Sequence, residues 1–210
     1  MPPRVVTFNR RISRGAPQLR TIKGFTLPDV QITLEDPPVG RGWGARPLRA
    51  EAVLMPTVPS PRPATPDPIA QWLPQGVPDV DKGHLIALEL GGPNVAENVA
   101  PQWGFWQENG RWRKMERRLK SLLDTFLGAP PVQFIYMTVE VVYKDTPSRT
   151  GWGFPKQFFV TAQVCDEKGT KQDSYVYFES QKMDRLLFEG VPDAWDKNVV
   201  PGIFPAKWTL

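Results

Sequence analysis

Asp81-Lys82-Gly83-His84-Leu85-Ile86-Ala87-Leu88-Glu89-Leu90 runs into a Gly91-Gly92-Pro93-Asn94 break, and Asn98-Val99-Ala100-Pro101-Gln102 follows. Glu108-Asn109-Gly110-Arg111-Trp112 comes next, with Glu116 four residues beyond Trp112. His84 is the single histidine of the 210-residue chain, so any imidazole chemistry falls to it. A mechanism that needs two histidines, such as the HExxH zinc site, is excluded. An imidazole that titrates near neutral pH is suited to take a proton from water. Carboxamide and carboxylate oxygens are hard donors suited to Mg2+. Arg and Lys side chains nearby can offset charge gathering on phosphorus. Base, hard donors and cations together describe metal-assisted phosphodiester hydrolysis.

Outward from this stretch, His84–Leu90 reads as a short apolar strand after a turn at Asp81, and Asn98–Gln102 as a second short element. From Glu108 to Leu127 the pattern is helical: Trp112, Met115, Leu119, Leu122, Leu123 and Phe126 recur at spacings of three and four. Gly128-Ala129-Pro130-Pro131 ends that helix. Val132–Tyr143 is rich in β-branched and aromatic residues and reads as a buried strand, with Phe158–Val164 as its neighbour and Ser174–Phe178 as a further short strand. Lys182–Glu189 reads as a short helix, and the tail from Val191 as irregular.

Before the motif, Val5–Phe8 and Val30–Leu34 are β-like runs set among Arg, Gly and Pro. Eight prolines lie between Pro56 and Pro78, which rules out a regular helix or an interior strand there. Residues 1–76 are therefore expected to be an irregular, basic and proline-rich segment, with the compact domain at 77–210. The net charge of +4 is modest but unevenly spread. Residues 1–24 hold Arg4, Arg10, Arg11, Arg14, Arg20 and Lys23 and no acid, and Arg111–Lys120 holds six bases against Glu116. Such patches suit a polyanion, and they also suit a plain solvated face. Cys165 is the only cysteine, so neither an intramolecular disulfide nor a Cys-built zinc site can form. No run approaches the length of a bilayer-spanning helix, so no membrane role is expected, and the N-terminus shows no Sec signal. A cytoplasmic protein, or one exported by a signal-independent route, is expected.

The 81–116 residues resemble the DNA/RNA non-specific endonuclease family of the ββα-metal (His-Me finger) nucleases. Its signature runs Asp-Arg-Gly-His, then Asn-x-x-Pro-Gln, then a helical Asn followed by Trp and Glu. Asp81-Lys82-Gly83-His84 matches with Lys82 for Arg, Asn98–Gln102 matches in full, and Trp112 and Glu116 keep the four-residue interval. The likeness covers 81–160. It implies an α+β fold in which two strands and the helix, at about 81–127, form a ββα-metal core packed on a mixed or antiparallel sheet. It implies His84 as general base, Asn98 orienting the strand that carries it, and Glu116 either binding a metal water or holding the site in place from behind the metal's own ligands. Lys82, Arg113, Arg117 and Lys120 become phosphate contacts, and Asp81, Gln102 and Trp112 structural supports. The cofactor implied is one Mg2+, with Mn2+ able to substitute. The substrate implied is DNA, with RNA left open.

Two departures stand out. Counted back from Trp112 by the family interval, the metal ligand is Glu108; by residue type it is Asn109, and both stay open. Lys82 is a point charge where the family has a bidentate fork. Many relatives of this type are toxic modules of bacterial antagonism systems, which would imply an acidic immunity protein over the basic site. The alternative reading is a catalytically inactive nucleic-acid-binding module on the same fold.

Overall fold

Val30, Ile32 and Leu34 are buried and alternate with partly exposed Gln31, Thr33 and Glu35, the period of a strand with one face on a core. The computed structural model describes residues 2–8, 21–22, 25–26, 30–56, 80–104, 110–128, 132–143 and 152–180. Strands β1 (Arg4–Phe8), β4 (Val30–Glu35), β5 (Arg46–Leu54), β8 (Gln133–Tyr143), β9 (Pro155–Asp166) and β10 (Lys171–Ser180) form a six-stranded sheet in that order. Every pairing in it is antiparallel. A small hairpin, β2 (Thr21–Ile22) with β3 (Phe25–Thr26), lies outside it.

The expectation that the compact fold begins at Val77 is corrected here: β4 and β5 lie inside the sheet, and β5 pairs directly with β8. Residues 30–54 are not irregular: Ala50, Ala52 and Leu54 of β5 alternate inward against Met137 and Val139. Pro47, which donates no ladder hydrogen bond, is accommodated at a register shift in the β4–β5 pairing. Beyond Pro56, the proline-rich stretch up to Pro78 falls outside the described residues, as do the expected helix at 182–189 and the irregular tail from Val191.

Between neighbouring strands β5 and β8 the chain leaves the sheet and returns. The excursion carries β6 (Val80–His84), a 3-10 turn (Leu88–Leu90), a second 3-10 turn (Ala96–Asn98), β7 (Val99–Trp103) and helix α1 (Arg111–Thr125). Among the described residues, strands β6 and β7 pair only with each other, antiparallel. The apolar run after His84 is thus a bend and a 3-10 turn, not the strand that its composition suggests. Helix α1 starts at Arg111, after an extended Gly110, and turns Trp112, Met115, Leu119 and Leu123 inward. These pack with Ile32, Ala52, Val139, Phe158 and Val160 of the sheet in one core, which Leu85, Ile86, Leu90 and Ala100 of the excursion join. Trp112 meets Phe158 edge-on at 5.3 Å and Tyr177 at 6.1 Å between ring centroids. That seats the first turn of α1 on β9 and β10. At the far end of the core strands, the buried Arg46 guanidinium lies between the rings of Tyr143 and Trp152 at 4.3 and 3.8 Å. It bonds Glu35 at 2.7 Å and the Trp152 carbonyl at 2.9 Å.

Candidate active site

His84 is the last residue of β6, opposite Val99, and Lys82 lies on the same face of that strand opposite Pro101. Asp81 and Lys82 are exposed, while His84 is half-buried. Gly83 sits between them for a steric reason. A Cβ there would fall 2.2 Å from Cδ of Gln102, whose buried side chain lies across the strand. Gln102 and Gly83 therefore fit together as a pair, which is why the two halves of the motif carry those residues.

Beyond His84 the strand ladder stops, and Asn98 takes its place. Its Oδ1 accepts the Ile86 N–H at 3.0 Å, and its Nδ2 donates to the carbonyls of Ile86 at 2.8 Å and Pro93 at 2.9 Å. The Asn98 carbonyl accepts the Leu85 N–H at 2.8 Å. Asn98 is fully buried, so it holds the turn that follows the histidine. Gly92 packs so closely on this turn that a Cβ would sit 1.9 Å from the Ile86 carbonyl oxygen. The loop so closed brings Asn94 to His84, with Oδ1 3.2 Å from Nε2. That contact ties one ring nitrogen of His84 to the closed loop and so restrains the plane of the imidazole.

Glu116 faces inward with its residue only 5 % exposed. Its Oε1 accepts the Trp112 indole N–H at 3.0 Å, and its Oε2 accepts from Arg113 at 3.0 Å. The same Arg113 nitrogen donates to Glu89 at 2.7 Å, across to the turn after His84. Burial pushes the Glu116 carboxyl up from 4.5 to about 7; Arg113 and the Trp112 bond act against that rise, and Glu89 adds to it. Burial opposes charge on Arg113, but the bonds and charges of Glu116 and Glu89 outweigh it and raise the guanidinium further.

Among the sequence-picked residues, Gln102 comes against Gly83 beside Asp81, while Trp112, Arg113 and Glu116 form one cluster. Arg117 is exposed on α1. Lys120 donates to Asp124, one turn along the helix, and does not pair with Glu116. Glu108 and Asn109 lie outside the described residues. Sequence reasoning missed Asn94 and Glu89. Asn94 was legible only as a turn residue, whereas Glu89 gave a signal, a lone acid in an apolar run facing a basic helix.

Among the described residues no group of three or more His, Cys, Asp and Glu side chains could cage a metal. The donors here are amide and carboxylate oxygens with one imidazole, and the one thiol, Cys165, is buried in β9. That set fits a hard divalent cation held largely by water, and it does not fit a soft one.

The geometry thus sets an imidazole at a strand end with a lysine on the same strand face. The sequence model of the family described as DNA/RNA non-specific endonuclease matches residues 44–163, more than half of the chain, and the chain belongs to that family. The match runs from just before β5 into β9 and takes in the whole excursion. Among solved structures, an extracellular endonuclease is similar at 14% identity with a TM-score of 0.45, over 85% of this chain and 81% of that one. A comparison with curated proteins finds no match. The expected α+β fold is present, with the sheet antiparallel throughout its described pairings. Among the described residues, no helix is long and apolar enough to cross a membrane.

Proposed function

We propose that the chain hydrolyses phosphodiester bonds in DNA and RNA without base specificity, on a ββα-metal core made by β6, β7 and α1, with His84 as general base. The observation that carries this reading is the placement of the half-buried His84 at the end of β6, restrained by Asn94 at 3.2 Å and on the same strand face as Lys82. His84 takes a proton from the attacking water as the oxygen closes on phosphorus. Lys82, on the same face of β6, balances charge on the non-bridging oxygens, and the exposed Lys114 and Arg117 of α1 hold flanking phosphates. Glu116, fixed at both oxygens, orients a water at the site. A hard divalent cation, Mg2+ or Mn2+ in its place, would be held by Glu108 or Asn109 and supplies charge stabilisation to the phosphate and the leaving 3′-oxygen. The basic face also suits an acidic inhibitor protein, as a toxin-type nuclease requires.

The test is digestion of supercoiled plasmid and of structured RNA by the full chain with Mg2+, with EDTA, and with His84→Ala. Cleavage lost in the last two arms is the expected result. Gel shift without cleavage in every arm overturns the reading in favour of a binding module, and cleavage surviving in His84→Ala overturns the assigned base.

A further inference from the structure

We propose that Arg113 and Glu89 are positioning residues, joined in a bridge that fixes the helix carrying Glu116 against the turn that follows His84. The proposal rests on the nuclease reading above and adds two residues to its machinery. One nitrogen, Nη1 of Arg113, serves both carboxylates, at 2.7 Å to Glu89 and 3.0 Å to Glu116. The Glu89 bond spans 24 residues of sequence and joins two separate elements. The Glu116 bond stays within one helix.

Each end of the bridge is anchored. Trp112 is wedged against Phe158 and Tyr177 and bonds the other oxygen of Glu116, so the carboxylate cannot turn without giving up a buried partner. Glu89 sits between Leu88 and Leu90, both buried, and five residues after His84 on the turn that Asn98 closes. The link from the turn after His84 to Glu116 thus runs through two short, half-buried contacts of Arg113. A displacement of about 1 Å at a reacting centre is enough to cost on the order of 100-fold in rate.

A phosphate-clamp role for Arg113 fits the geometry less well. A phosphate would compete with two carboxylates for the same nitrogen, and the local charge of Glu89 and Glu116 repels it. Lys114 and Arg117, exposed on the same helix, are placed better for that task.

The experiment is steady-state plasmid cleavage by the full chain, with folding of every variant confirmed by far-UV circular dichroism. Arg113→Gln and the isosteric Glu89→Gln are each expected to lower kcat about 10- to 100-fold with KM within about twofold. The double variant should be no slower than the worse single one, because both remove one bridge. Arg113→Lys, which keeps a donor and a charge, should recover part of the loss. The salt dependence of KM should stay that of the wild type. A raised KM and a salt slope lower by about one in Arg113→Gln, with Glu89→Gln cleaving normally, would overturn the proposal in favour of a clamp. Wild-type kcat in both single variants, or additive losses in the double, would overturn it as well. Cleavage surviving in His84→Ala would sink the assigned base alone; a shared, non-additive loss in the other two variants would still support the bridge.

Discussion

Replacing Glu116 by Gln should make the protein more stable in alkaline solution and hardly alter it in acid. The carboxyl is buried and its proton is held to about pH 7, against an ordinary value of 4.5. The folded chain therefore binds that proton about 300-fold more tightly than the unfolded chain, which corresponds to about 3 kcal/mol. The sign follows from where the proton sits. Between pH 4.5 and 7 the folded state keeps a proton that the unfolded state has released. Stability from this group is therefore full below the unfolded value and drains away as pH rises through the folded one. The substituted amide cannot ionise, yet it keeps an oxygen for the Trp112 indole N–H. The assay is urea unfolding of both proteins at pH 4.5 and pH 8.5. The stability difference should move by about 3 kcal/mol in favour of the variant between the two conditions. A difference that stays constant across this range would refute the argument that a desolvated carboxylate is carried at the site. Nuclease activity should fall in the same variant, since the amide cannot supply the charge that orients a water.

Three further outcomes follow from the geometry. Gly83→Ala should lose about 2 kcal/mol, because its Cβ must displace the buried Gln102 side chain; an unchanged urea midpoint would count against the close fit. Asn98→Ala removes three hydrogen bonds, two of them buried, and should cost about 3 kcal/mol with a deeper loss of activity, which thermal unfolding and plasmid cleavage would read separately. Arg46→Met should destabilise by about 2 kcal/mol, through lost ring contacts and an orphaned Glu35, while activity per folded molecule stays that of the wild type.

The family motif was more legible in the sequence than the scaffold, for a physical reason. His84, Asn98, Gln102 and Glu116 announce themselves by residue type and interval, since proton transfer and buried amide bonds admit few alternatives. The central strand β5 gives no such signal. Arg46, Pro47, Arg49 and Glu51 break up its apolar pattern, and its inward positions are partly alanines, which mark no strand by themselves. Those alanines are small because Met137 and Val139 of β8 stand opposite and fill the layer. The turn after His84 misleads in the other direction. Leu85–Leu90 has strand-like composition, but Asn98 takes both the N–H and the carbonyl of Ile86 and leaves no ladder to extend. Asn94 and Glu89 gain their roles only when that turn is closed, so neither could be read from spacing.

The insertion between β5 and β8 also explains how this chain can keep a buried, costly carboxylate. The sheet joins its six strands by antiparallel pairing, and its apolar face supplies most of the core. Helix α1 and the turn after His84 add their own apolar residues to that core. Their polar contacts are free of any duty to the strand ladder. Asn98 can then close the turn after His84, and Arg113 and Glu116 can be paired beside that turn, at a local energetic cost, provided the sheet stays intact. A substitution in the ladder should therefore change mainly how much protein is folded, whereas a substitution in the excursion should change what the folded protein does as well as how stable it is.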